Sequence, residues 1–322
     1  MRRLLSASAA LALALGAAFP AARAQSDTAL FLLLPVGART LGQGQATVAS
    51  ETGTEAVWSN PASLARQTTR ETAIHHSTTL AVTGDALTFA SPVRALGVMA
   101  LSINLYNFGD QQITEDPNQP PVGLLLPRNV VYALTWARGL GAHANAGINY
   151  KLVQARIDCT GQCGDIGTGS GTASAFDVGA QYRFSDNVPL TLGAAIRSIG
   201  GDLSATADEP PAKLPRRVQL GASYRLRFVD RYLTDMDVRI AGEMDSAPSL
   251  EDAGFRFGSA VVYQNRVHLR AGWGTADTEA SGPSVGFGIT AGKLSFDIAR
   301  TFEGLSADAG EPPTYFSLRY NF

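Results

Sequence analysis

The chain is short of most things that mark a soluble enzyme or a helical membrane protein. Its 322 residues include only two cysteines, three lysines, four histidines and three tryptophans. Beyond the first two dozen residues there is no run of ~20 apolar residues, the length a helix needs to cross the ~30 Å hydrocarbon core of a bilayer. The body of the chain therefore supplies no transmembrane helix, although 45% of its residues are hydrophobic. It has 26 basic and 28 acidic residues, so it lacks the basic excess that nucleic acid would demand. The scarcity of lysine beside 23 arginines, with abundant alanine, reads as the codon bias of a GC-rich genome and not as function.

So few histidines leave little material for catalysis. His75 and His76 are adjacent, one on each face of a strand, which is poor for a shared metal. His143-Ala144-Asn145 puts two polar groups on one face with no serine in an obvious relation to them. Asp158 and Asp165 flank the cysteines in a glycine-rich stretch, but the acid spacing matches no calcium loop. Gly37, Gly42 and Gly44 fit neither the dinucleotide fingerprint nor a phosphate loop. No catalytic residue, cofactor or metal is assigned, and the chain is read as not an enzyme.

Cys159 and Cys163 are four residues apart with Gly161 between them. A tight turn at the glycine would bring them within reach of each other in an oxidising compartment. A two-cysteine metal site would need further ligands, and none is nearby. A loop disulfide is expected.

The compartment follows from the start of the chain. Met1-Arg2-Arg3, an Ala/Leu run from Leu4 to Phe19, and Ala22-Arg23-Ala24 form a basic, an apolar and a cleavage region. Together they read as an export signal over residues 1–24, leaving a mature chain from Gln25. Its removal takes three arginines and no acid, leaving 23 basic against 28 acidic residues.

What the chain has in quantity is period two. In the last eight residues Phe316, Leu318, Tyr320 and Phe322 fall on one face and Ser317, Arg319 and Asn321 on the other. The same alternation recurs along nearly the whole mature chain. Strands are expected near 70–82, 85–93, 96–107, 128–138, 141–157, 173–184, 188–198, 215–228, 233–244, 252–263, 265–274, 282–291, 292–301 and 313–322. Fourteen is an even number, as single-chain bacterial barrels require. The connections alternate short and long, as periplasmic turns and extracellular loops do. The first hairpin, placed around Gly84-Asp85, is the exception. The fold expected is all-β: a transmembrane antiparallel barrel of about fourteen strands over residues 68–322, in the outer membrane. Its partners would be outer-membrane lipid and the machinery that assembles such barrels, with Tyr320 and Phe322 in the assembly signal.

A charge on the lipid face costs ~2–4 kcal/mol at mid-bilayer, so the face bearing arginine must be the lumen. Arg183, Arg197, Arg217, Arg225, Arg256, Arg270, Arg300 and Arg319 are expected to point in, with Asp177, Glu243 and Asp297 as partners. A paired lattice bracing the lumen is preferred to a pathway for anionic solutes. Residues 25–67 do not alternate. Phe31–Leu34 is a short apolar run, Gly37, Gly42 and Gly44 form turns, and Asn60-Pro61 opens a short helix. A folded segment too small for its own core must pack on something larger. The expectation is a plug inside the barrel, with Arg39 paired to an inward acid such as Asp297.

Three stretches resemble one family. Val36-Gly37-Ala38-Arg39-Thr40-Leu41-Gly42-Gln43-Gly44 with Trp58-Ser59-Asn60-Pro61-Ala62-Ser63-Leu64 resembles the start of PorV/PorQ-family outer-membrane proteins. Leu214–Tyr224 resembles a recurrent strand of that family, and Tyr315–Phe322 its terminal assembly signal. The family is similar to FadL-type transporters of hydrophobic compounds, fourteen-stranded barrels with an N-terminal hatch. The resemblance implies a plug at residues 25–67 and binding or transport of hydrophobic or amphiphilic compounds. Its alternative implication is a type nine-like secretion component that docks secreted cargo proteins. The apolar Val122–Leu126, expected in an extracellular loop, is the candidate contact for a ligand, and the acidic loops 206–211 and 303–312 with the cystine loop at Cys159–Cys163 are the candidate docking face for cargo.

Overall fold

The computed structural model describes residues 29–50, 53–114, 120–163, 168–185, 187–204, 212–231, 235–248, 253–275, 281–303 and 310–322. The export signal and most of the two acidic loops lie outside these residues.

Fourteen long strands form one closed antiparallel sheet. They are β1 Glu71–Thr78, β2 Thr83–Val93, β3 Gly97–Asn107, β4 Gly123–Leu140, β5 Ala144–Gly161, β6 Gly169–Arg183 and β7 Leu190–Gly200 in the first half. The second half is β8 Arg217–Arg225, β9 Met236–Ser246, β10 Gly254–Tyr263, β11 Val267–Gly274, β12 Gly282–Ala291, β13 Leu294–Thr301 and β14 Thr314–Asn321. Each pairs with the next, and β14 closes on β1 in the register Glu71↔Asn321 to Thr78↔Thr314. The Phe322 amide adds a bond to the Arg70 carbonyl at 2.9 Å. Closure leaves no edge with unpaired backbone groups, the condition for standing in lipid.

The alternation drives this arrangement. In β8, Leu220 and Tyr224 are exposed while Gln219 and Ser223 are buried; in β11, Leu269 and Trp273 face out and Arg270 is buried. Leu101 is 62% exposed and Phe257 53%. A soluble protein would not leave such a band uncovered; hydrocarbon covers it here. Short turns join β2 to β3, β4 to β5, β10 to β11 and β12 to β13. The Gln264-Asn265 turn has φ of 50° and 53°, the left-handed pair of a type I′ hairpin.

Several boundaries differ from the sequence expectation. The first hairpin turns at Thr79–Val82, where the Thr79 amide donates to the Val82 carbonyl, and not at Gly84-Asp85. β8 stops at Arg225, short of the expected end at 228, because Arg227–Arg231 is a 3₁₀ turn. The largest correction concerns Val122–Leu126. Gly123–Leu126 is not loop but the start of β4, paired with Asp158–Gly161 of β5 and with the short strand Gln111–Ile113. β4 and β5 have 18 residues each, against the ~9–11 that span a bilayer. Both rise well past the membrane at the long-loop end. Hydrophobic alternation fades there because no lipid dictates it.

Residues 29–66 contain four short helical turns: Leu30–Leu33, α1 Ala38–Gly42, Gly53–Trp58 and Pro61–Arg66. None of the four belongs to the sheet. They contact inward-facing residues on opposite sides of it, α1 against β11–β14 and Pro61–Arg66 against β4–β6.

Candidate functional site

At several closest contacts with the N-terminal segment the wall carries glycine. An added Cβ at Gly147 would lie 2.5 Å from the Ala62 amide nitrogen. At Gly179 it would strike Asn60, at Gly193 Val48, at Gly258 Gln43 and at Gly272 Gly44. Gly42 and Gly286 meet nearly Cα to Cα. Gly37 and Gly44 have φ of 93° and 58°, a region that side-chain-bearing residues avoid. The three glycines singled out in the sequence therefore turn the segment and bring it against the wall. The wall glycines facing them were not singled out, although they fall on inward positions of the alternation.

Polar side chains of the wall then grip the segment's backbone. Glu243 accepts from the amides of Thr47 and Val48, both at 2.8 Å. Glu71 accepts from the Thr54 amide at 2.9 Å and its hydroxyl at 2.7 Å. Ser317 accepts from the Ala38 amide and Ser284 from the Gly44 amide. In the other direction, Asn149 donates to the Val57 carbonyl and Gln181 to the Val48 carbonyl. A segment with so little regular structure must place its amides and carbonyls somewhere, and these are the partners. Asn60 caps the last turn by accepting from the Ala62 amide, with Pro61 at its first position. Its amide donates to the Val48 and Ala180 carbonyls.

The inward charges gather around Asp297, around Glu243 with Asp245, around Asp177 and around Asp237. Asp297 is fully buried and receives Arg270 Nη1 at 2.7 Å, Arg319, and Arg39 Nε at 3.5 Å. Glu55, fully buried beside them, accepts from the Thr40 amide and hydroxyl at 2.8 Å. Burial pushes its carboxyl up to about 7; Arg39 pulls against this and Asp297 adds to it. Arg256 pairs with Glu243 at 3.0 Å and with Asp245 at 3.1 Å, and Arg217 lies 3.9 Å from Asp245. Arg225 pairs with Asp237 at 2.7 Å. Asp177 is held by Lys151 at 2.6 Å, Asn149 at 3.1 Å and the Ser198 amide at 2.8 Å. A bulge beside it, with Ser198 at φ 56°, aims that amide inward. Lys151 was absent from the expected lumen charges, yet its place two residues from inward Asn149 carries the signal. Arg183 is half-buried on the inward side of β6. Arg300 is a correction: inward Asp297 and Ala299 put it on the outer face, where it is exposed near the end of β13.

At the long-loop end the contacts with the segment turn apolar. Phe31 lies 5.0 Å from the Tyr106 ring and 6.3 Å from the Phe108 ring, centroid to centroid. Leu32, Val82, Leu203 and Leu214 join the cluster, with Leu34 partly buried against it. Leu203 belongs to a two-stranded ribbon, Asp202–Leu203 with Ala212–Lys213, that follows β7, and Leu214 comes directly after it.

The remaining sequence-marked residues are also placed. Cys159 and Cys163 form a disulfide with Cα atoms 6.3 Å apart, beside Gly161 at φ 88°. Tyr320 and Phe322 are exposed on the outer face, rings 4.9 Å apart and edge to face. His75 faces in and bonds to Ser317 at 2.8 Å, while His76 faces out toward Asp85. His143 bonds to the Arg183 carbonyl at a short turn. Among the described residues no group of three ligating side chains could hold a metal.

No family model matches the chain, and no curated protein does. Solved structures do. The monoaromatic hydrocarbon channel CymD aligns with a TM-score of 0.59 at 11% identity, over 92% of this chain and 99% of that one. The toluene transporter TbuX of Ralstonia pickettii gives 0.55 at 12%, over 89% and 98%. A FadL homologue of Pseudomonas aeruginosa gives 0.51 at 10%, over 90% and 98%. At such identities the likeness establishes the fold, a closed fourteen-strand barrel of the FadL type.

Proposed function

We propose that this chain is an outer-membrane barrel, stoppered by its own N-terminal segment, that binds and passes hydrophobic or amphiphilic compounds. The observation that carries this reading is the apolar cluster of Phe31, Leu32, Tyr106, Phe108, Leu203 and Leu214 at the long-loop end. It is built partly from the segment and partly from a ribbon, two elements that can separate without breaking the barrel. The paired inward charges favour a bracing lattice over an anion pathway. The likeness to a toluene transporter and a monoaromatic hydrocarbon channel gives the ligand class to try first.

In this reading the short turns and both chain ends of the barrel face the periplasm and the long connections face outward. Residues 1–24 are the export signal, and Tyr320 and Phe322 are read by the barrel-assembly machinery. Removing Tyr320–Phe322 should abolish heat-modifiable migration in outer membranes. Calorimetry with small aromatics and long-chain amphiphiles tests the binding itself. Saturable binding that weakens at least tenfold in Phe31→Ser is expected; no binding of either class sinks the proposal.

A second reading rests on the PorV/PorQ-like motif around Arg39 and Asn60 and on how firmly the segment is tethered. A permanently filled barrel suits a platform that docks secreted proteins of a type nine-like system. Crosslinking in cells separates the two, since discrete protein partners favour docking.

A further inference from the structure

A small cavity of about 10 Å3 lies between the N-terminal segment and the wall, just beneath the apolar cluster. Five buried polar atoms without a partner belong to side chains on its wall: Trp58 Nε1, Ser59 Oγ, Arg197 Nε, Arg256 Nε and Gln219 Oε1. Their residues are between 2% and 9% exposed. Buried polar atoms are almost always satisfied, so five around one small space point to an occupant. The set is rich in donors: three N–H groups and a hydroxyl against one amide oxygen.

The charges sharpen this. Arg256 is neutralised by Glu243 and Asp245. Arg197 is not: one of its terminal nitrogens donates to the Leu32 carbonyl at 3.0 Å. Among the described residues no carboxylate forms an ion pair with it, and the nearby Asp177 is taken by Lys151. A buried guanidinium is tolerated when an opposite charge accompanies it. Glu55, the one acid on the cavity wall, is already bonded to Thr40. The volume admits a single small sphere.

We infer that this cavity is a binding site for one small monovalent anion, chloride or bromide in size, held by Arg197, Trp58, Ser59 and Arg256. The anion joins three parts of the molecule. Trp58 and Ser59 belong to the segment, Arg197 to β7 and Arg256 to β10, so its binding fastens the segment to the wall. The site is independent of which compound the barrel carries.

The test uses the full barrel in detergent. Crystals grown in bromide should show an anomalous peak in the cavity. The urea midpoint should rise saturably with chloride or bromide, but not with gluconate at equal ionic strength, since gluconate is too large to enter. Arg197→Gln should remove both the peak and the halide dependence. Should that variant misfold, Trp58→Phe removes one donor without touching the charge and should weaken halide dependence severalfold. A water-sized density without anomalous signal, or equal midpoints in chloride and gluconate, overturns the assignment and leaves a structural water.

Discussion

The N-terminal segment meets the barrel wall on two flanks in two different ways. On one, α1 lies against β11–β14 around an ion cluster, with Arg39, Arg270 and Arg319 sharing Asp297. On the other, Pro61–Arg66 lies against β4–β6 on glycine and a neutral amide, with Gly147, Gly179 and Gln181 as the seat. The charged flank is held by groups that repel each other once their shared acid is lost. The neutral flank is held by fit. The first should respond to charge and pH, the second to volume alone.

Removing both flanks together gives the largest effect. Fourteen strands enclose more space than side chains can fill, unlike an eight-stranded barrel. Deleting Gln25–Leu64 should therefore turn a poorly conducting protein into one with a large, stable conductance in planar bilayers. A wild type that already conducts freely would show that the segment does not stopper the lumen.

Breaking only the charged flank comes next. Asp297→Asn keeps the shape and leaves three guanidiniums around a neutral amide. Losing one partner of a buried ion pair costs about 3–5 kcal/mol. The segment should come loose at α1 first, seen as protease cleavage near Arg39 and as flickering conductance. An Asp297→Asn protein as closed and protease-resistant as wild type would mean that the cluster is incidental to docking.

The two flanks were unequally legible in the sequence. The barrel itself was readable because lipid imposes one rule on every strand, apolar outward at period two. That rule located all fourteen strands and missed at the first hairpin, at Gly123–Leu126, at the turn after Arg225 and at Arg300. The charged flank was partly readable, because arginine at inward positions needs an acid and Asp297 is one of few inward ones. The neutral flank was not. Gly147, Gly179 and Gly272 carry no signal of what presses on them until Ala62, Asn60 and Gly44 are seen in place. Arg300 was misplaced because an arginine near a strand end can reach water from the outer face.

Filling the neutral flank should have a smaller effect. Gly147→Ala adds one methyl where the Pro61–Ala62 backbone already lies 2.5 Å from the new atom. Overpacking of this kind costs about 1–3 kcal/mol. The urea midpoint for release of the segment should fall, and the fall should be the same at low and high salt. Dependence on salt would contradict the division into a charged and a neutral flank.

The smallest effect expected is a pH dependence confined to the charged flank, through Glu55. Its carboxyl is raised from the usual 4.5 to about 7 by burial. A raised acid pKa means that the docked state holds the proton more tightly than the released state. The favourable contribution is complete below the released-state pKa and is lost as pH rises through the docked one. One pKa unit corresponds to about 1.4 kcal/mol, so docking should weaken by about 1 kcal/mol between roughly pH 6 and pH 8. Glu55→Gln cannot ionise and should flatten the profile, leaving the Gly147→Ala shift in urea midpoint unchanged. A wild-type profile already flat over this range would show that Glu55 is ionised while docked, stabilised by Arg39 and Thr40 beyond what its burial takes away.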